Sequence, residues 1–228
     1  MMSTLFTFGC SYTADYNVMT NQEYKKFKGG ELPDVWSKVL SKKLNTDLKN
    51  YGEPSIGNEQ IFHNFCKHIN EINENDTLII GWTFLNRHRW VNVNKSQWVT
   101  VGIGTKDDNI ISKSTNDEII INRTNPLYIQ NVYDYEKIID LYCECKKINV
   151  YYWSGDKEII YKQPKELVNN SKYISHNFVR EDEIPFDEVF RRGGELIVHE
   201  TKGCIKDHHM GESGHRIMAE LFYEHIKS

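Results

Sequence analysis

The chain has 228 residues, of which 39% are hydrophobic and 26% charged, and its formal net charge is -4. That length suffices for one α/β domain with a buried core, and the composition is that of an ordinary globular protein. The negative balance offers no general electrostatic attraction to nucleic acid, and no apolar run is long enough for a membrane span or a signal-peptide core. The chain is therefore expected to be soluble and to stay in the compartment where it is made.

The five cysteines, Cys10, Cys66, Cys143, Cys145 and Cys204, are odd in number and scattered, which speaks against a disulfide framework. Cys143 and Cys145 lack a second Cys or His pair at ligand spacing, so no metal site is expected. Reduced thiols in a cytoplasm fit this usage.

In chain order, Ser3 to Phe8 reads as a buried strand ending at Gly9. Asp34 to Leu44 reads as a helix, with Val35, Trp36, Val39, Leu40 and Leu44 on one face and Pro33 and Asp34 as its start. Asp47 to Tyr51 is a second strand. Asn58 to Ile72 is an amphipathic helix with a stripe of Ile61, Phe62, Phe65, Cys66 and Ile69. Thr77 to Gly81 is a strongly apolar third strand. Residues 87–123 break the rhythm with Val-, Trp- and Ile-rich runs between Gly, Asn, Asp and Ser, which predicts hairpins or an extended insertion. Tyr128 to Ile148 follows Pro126 as a long helix, and Val150 to Trp153 is a fourth strand. Residues 156–205 carry little periodicity, with a short strand expected at Glu195 to His199. Gly211 to Ile226 closes the chain as a helix that turns Ile217, Met218, Leu221, Phe222 and Ile226 inward.

Strands alternating with helices predict an α/β fold, a three-layer α/β/α sandwich on a mostly parallel sheet. No repeat or linker divides it, so residues 1–228 read as a single domain with an insertion at about 87–123. Ligands of such sheets bind beyond the carboxyl ends of the strands, here just after Phe8, Tyr51, Ile80 and Trp153.

Two clusters can carry chemistry there. In Phe8-Gly9-Cys10-Ser11-Tyr12, Ser11 follows the first strand, where it is either a nucleophile exposed at the sheet edge or a cap on the next segment. In Asp207-His208-His209-Met210-Gly211, an imidazole can serve as the base that a serine hydroxyl needs, and Asp207 can fix its tautomer. Otherwise these histidines are an exposed pair before a helix. Arg87, His88 and Arg89 form either a binding site for an anionic substrate or a solvated loop. Trp82, Trp90 and Trp98 suit either an apolar or sugar-stacking wall or plain packing.

Gly9-Cys10-Ser11-Tyr12 resembles the first conserved block of the SGNH/GDSL hydrolase family, with Cys at the position of its Asp. Asn50 to Asn58 resembles the second block, and Asp207-His208-His209 with Gly214-His215 resembles the last. The resemblance implies a flavodoxin-like sheet with Ser11 as nucleophile, His209 as base and Asp207 as its support. It implies that Gly57 offers its backbone N–H to the oxyanion. Gly214 stands at the family's usual offset from His209, which favours His209 over its rival His208. The third block departs from the family pattern. Thr83 replaces the Asn that completes the oxyanion hole, so Thr83, or Asn86 from the loop, is expected to donate instead, with Arg87 at the pocket mouth.

The implied reaction is hydrolysis of a small-molecule or glycan carboxylic ester, such as an O-acetyl group on a carbohydrate, through an acyl-enzyme. No metal or organic cofactor is needed. The Thr83 substitution keeps a ligand-binding module of weak or no turnover as an alternative, and an acyltransferase would use the same Ser11. Neither a nucleic-acid nor a membrane partner is expected.

Overall fold

A computed structural model describes residues 3–16, 22–85, 87–92, 97–101, 126–161, 172–174 and 184–228. Four strands, β1 (Thr4–Gly9), β2 (Asp47–Gly52), β3 (Thr77–Trp82) and β6 (Asn149–Ser154), form an all-parallel sheet in the order β2-β1-β3-β6. The register sets Gly9 beside Gly52 and Phe8 beside Ile80, so the strands end at one level. Central strand β1 is apolar on both faces because both are covered, as a parallel sheet requires.

The alternation of β6 shows the two layers. Tyr152 points toward α4 (Pro126–Lys146), where its hydroxyl reaches Asp140 at 2.8 Å. Trp153 points the other way, packing at 5.6 Å on Phe186 of α6 (Pro185–Arg191) and at 6.1 Å on Phe222 of α8 (Glu212–Lys227). Adjacent strand residues face opposite sides of a sheet. On the Trp153 side, Trp36 of α2 (Trp36–Leu44) meets Phe222 edge-on at 4.7 Å. On the Tyr152 side, Phe65 of α3 (Asn58–His68) meets Phe8 at 6.0 Å and Tyr142 of α4 at 6.0 Å. Helices thus flank both faces of the sheet, as the sequence predicts. Among the described residues no helix is long and apolar enough to cross a membrane.

The break after β3 begins as expected with a hairpin, β4 (His88–Asn92) antiparallel to β5 (Gln97–Val101). The remainder of the expected insertion, and the side chains of the hairpin including Trp90 and Trp98, lie outside the described residues. Trp82 is no sugar platform. It is fully buried, and its indole N–H donates to Glu136 at 2.7 Å.

Three details differ from the sequence reading. Cys66 is exposed rather than part of the buried stripe, because at about 100° per residue it falls at the edge of the face that Ile61 and Phe65 bury, and a single 3-10 turn, Ile69–Glu71, replaces the expected last turn. The expected strand at Glu195 to His199 is instead the short helix α7 (Ile197–Glu200), reduced to one strand-like bridge between Leu196 and Met210. Helices α1 (Gln22–Phe27), α5 (Lys157–Tyr161) and α6 were not signalled, being too short to show a period.

A second small core, Tyr16, Tyr24, Val35, Ile197 and Ile205, packs α1 and α7 against the turn after β1 and the start of α2. Glu200 organises it. One carboxylate oxygen accepts the Tyr24 hydroxyl at 2.5 Å, and the other accepts the Ser213 N–H at 2.9 Å. Gly211, the N-cap of α8, has no side chain, and a Cβ there would run into the Glu200 carboxyl. A distant acid thus caps the helix in place of a local one.

His215, in the first turn of α8, is wholly buried and accepts the Trp36 backbone N–H on Nδ1 at 3.2 Å. Burial, with His209 adding, pushes its pKa down to about 3. The unfolded imidazole takes its proton near pH 6.5 while the folded one stays neutral. Stability is therefore expected to fall as pH drops from 6.5 toward 3, with a slope of up to about 1.4 kcal/mol per pH unit from this group. Urea denaturation of wild type and His215→Gln at pH 7 and pH 5 checks this. The variant should lose part of the pH dependence, and identical dependence in both would assign it elsewhere.

Candidate active site

The carboxyl ends of β1, β2 and β3 are built for a sharp turn. A Cβ at Gly9 would strike the Thr13 side chain, and one at Gly52 would lie 2.5 Å from the Ala14 nitrogen. Glycine lets the chain after β1 fold back tightly against these strand ends. In the turn, the Cys10 carbonyl accepts the N–H groups of Thr13 at 2.8 Å and Ala14 at 3.0 Å. The Tyr12 carbonyl accepts the Trp36 indole N–H at 2.8 Å, and the Asn50 amide donates to the Thr13 carbonyl at 2.8 Å. Ser11 is buried in this turn at 5% exposure, and Cys10 is buried beneath it. Among the described residues, neither the Ser11 hydroxyl nor its backbone N–H has a hydrogen-bond partner, so no hydrogen bond joins Ser11 to His209.

The histidine loop is held by α7. The first N–H groups of a helix have no partner within it. Here the Ile197 N–H bonds the His209 carbonyl at 2.9 Å and the Val198 N–H bonds the Asp207 carbonyl at 2.9 Å. The Gly211 N–H reaches back to the Glu195 carbonyl at 2.8 Å, and the Tyr16 hydroxyl donates to the Met210 carbonyl at 2.7 Å. Fixed in this way, Asp207 Oδ1 lies 2.7 Å from His209 Nδ1 and also accepts the His209 backbone N–H at 2.8 Å. That contact fixes one ring nitrogen and leaves Nε2 for other chemistry. His209 is half-buried, whereas His208 is exposed.

Tyr12 joins the two clusters. Its ring lies 5.3 Å from the His209 ring and 4.8 Å from that of Phe186. Burial raises its phenol pKa, Cys10 and Asp207 raise it further, and Arg87 opposes them.

On the other side, Gly57 is the N-cap of α3, and a Cβ there would lie 2.5 Å from the Arg87 carbonyl oxygen. Its φ of -92° is ordinary, so close approach is what demands glycine. The Gly57 N–H has no partner among the described residues. The neighbouring Asn58 clasps the backbone of Thr83 from both sides, accepting its N–H at 2.8 Å and donating to its carbonyl at 3.2 Å. Thr83 is buried, and its hydroxyl accepts a hydrogen bond from Arg87 Nη1 at 3.2 Å. Asp156, after β6, anchors the same loop by accepting the Leu85 N–H at 3.0 Å.

The structure thus gathers Gly57, Thr83 and Arg87 into one contact set and Asp207 and His209 into another, with Ser11-Tyr12 beside the second. Asn86 lies outside the described residues. Two contributors carried no role in the sequence reading. Tyr12 is an aromatic directly after a candidate nucleophile, and Asn58 is an amide at the first position of a helix that starts at a strand end. Both signals are short and nonspecific.

The molecule is an α/β protein with a parallel sheet and a polar, histidine-bearing cluster at the carboxyl ends of its strands. No protein-family model and no curated protein matches the sequence. Among solved structures, a candidate lipolytic protein of the G-D-S-L family from Desulfitobacterium hafniense DCB-2 aligns over 98% of this chain and 99% of its own. The two share 10% identity at a TM-score of 0.37.

Proposed function

We propose that this chain is a serine esterase of SGNH type, a single domain with its insertion after β3, acting on a carboxylic ester such as an O-acetyl group on a carbohydrate. The observation that carries the reading is the 2.7 Å contact of Asp207 with His209, whose ring faces the residue next to Ser11. Asp207 accepts a hydrogen bond from Nδ1–H, which keeps its proton, and so presents Nε2 as a base. Nε2 takes the Ser11 proton as Oγ bonds to the ester carbonyl carbon. The carbonyl oxygen becomes anionic and is met by the N–H groups of Ser11 and Gly57 and by the Thr83 hydroxyl. His209 then gives the proton to the leaving alcohol as its bond to the carbonyl carbon breaks, leaving Ser11 acylated. A water deprotonated by the same nitrogen attacks the acyl carbon, and His209 returns that proton to Ser11 Oγ as the acid leaves. The five free cysteines fit a reducing compartment and hence a cytoplasmic protein.

The test is a fluorophosphonate probe with peptide mapping. Labelling at Ser11, lost in Ser11→Ala and strongly reduced in His209→Ala, is the expected result. Labelling elsewhere, or none, removes Ser11 as nucleophile. A second reading, a ligand-binding module on the same scaffold, is favoured by the low exposure of Ser11 and its missing hydrogen bond to His209. Equal rates of p-nitrophenyl acetate hydrolysis by wild type and Ser11→Ala would select it.

A further inference from the structure

The Thr83 hydroxyl presents an unbalanced hydrogen-bond account. It accepts from Arg87 Nη1 at 3.2 Å and donates to no described residue, in a side chain whose residue is 1% exposed. A hydroxyl has one proton and two lone pairs, whereas a guanidinium has donors only. Arg87 can therefore occupy only a lone pair, and the Thr83 proton must point away from it. A hydroxyl that accepts from a cation is polarised and becomes a stronger donor in turn.

Arg87 is arranged for this task. Its side chain has no carboxylate partner among the described residues, and its guanidinium lies 5.5 Å from the centre of the Phe84 ring. Its backbone N–H bonds the Phe84 carbonyl at 3.2 Å, and its own carbonyl abuts Gly57. Asn58 holds the Thr83 backbone through both its N–H and its carbonyl, and Arg87 holds the hydroxyl. Since Asn58 directly follows Gly57, one clasp sets the spacing between the Gly57 N–H and the Thr83 hydroxyl.

We propose, on the basis of the esterase reading above, that Arg87 is a positioning residue that acts through Thr83. It orients and polarises the Thr83 hydroxyl toward the oxyanion, in place of the amide side chain that the sequence lacks there, and it does not hold an anionic substituent of the substrate. No proton is transferred in this role. The Thr83 O–H bond stays intact while its hydrogen bond tightens as the ester carbonyl oxygen gains charge.

The test measures kcat and KM of the full chain on p-nitrophenyl acetate, a neutral ester that gives Arg87 no anion to bind. Thr83→Val is expected to lower kcat by about 10²-fold and Arg87→Met by about tenfold, each changing KM by less than about twofold. In the double variant, Arg87→Met should add nothing to the loss from Thr83→Val, because its route to the oxyanion is already gone. Thr83→Ser, which keeps the hydroxyl, and Arg87→Lys, which keeps a cationic donor, should each recover part of the rate, and they serve where the larger changes misfold. An equal Arg87→Met loss in both backgrounds, or a loss seen in KM alone, overturns the role. A wild-type rate no higher than that of Ser11→Ala overturns the esterase reading itself and this role with it. A Ser11-dependent rate indifferent to Thr83→Val overturns only the role.

Discussion

Replacing His209 by alanine is expected to lower kcat for ester hydrolysis by about 10⁴- to 10⁶-fold, and replacing His208 by less than about tenfold. The two residues are neighbours in sequence, and the local pattern alone gives each an acidic residue nearby. Geometry separates them. The Asp207 carboxylate takes both the ring and the backbone N–H of His209, whose ring then packs on Tyr12, while His208 points into solvent. Asp207→Asn should cost about 10⁴-fold, because an amide in that place can favour the wrong tautomer of the ring. Steady-state kinetics on p-nitrophenyl acetate, with thermal melting as the control for folding, check all three variants. Equal losses at His208 and His209 would end the assignment of the base.

Trp36→Ala is expected to lower the unfolding free energy by about 3–5 kcal/mol, the cost of emptying a large buried aromatic site. Trp36 is wholly buried where the sheet meets α8, at 4.7 Å from the Phe222 ring and 6.3 Å from that of Trp153. It also connects stability to the site. Its indole N–H holds the Tyr12 carbonyl, and its backbone N–H holds His215. Trp36→Phe keeps much of the apolar volume but leaves the Tyr12 carbonyl without its donor, a loss of about 1 kcal/mol. The turn that presents Ser11 should loosen, so this milder variant is expected to lose more in kcat than its stability predicts. Urea denaturation and kinetics on the same preparations measure both. A Trp36→Ala loss under about 1 kcal/mol would show that α2 is held by other contacts.

Apolar runs and their spacing sufficed for β1, β3, β6 and the four long helices, whereas β2, whose residues are exposed or half-buried, was legible mainly from its place between two helices. The glycines at the strand ends were legible as turn signals. The pairing of Asp207 with His209 was legible because the partners are two residues apart and one loop holds both. Residues 156–205 were opaque for the opposite reason. Helix α7 is a single turn whose leading N–H groups are satisfied by the histidine loop, and its last residue, Glu200, bonds Tyr24, 176 positions away. An element stabilised by partners that far along the chain leaves no local period to read. Cys66 reads as part of the apolar stripe, yet it is exposed because its helical position lies at the edge of the face that Ile61 and Phe65 bury.

The sequence by itself determined the α/β alternation, the level at which the strands end, and the residues of the candidate base, since each rests on spacing within a few turns of chain. Only the tertiary structure decided that Asn58 clasps Thr83, that Arg87 donates to the Thr83 hydroxyl, and that Tyr12 packs on His209. The clasp and the Tyr12 packing join segments far apart in the chain, and their strength comes from desolvated hydrogen bonds and ring packing that exist only after the sheet has brought its strand ends together.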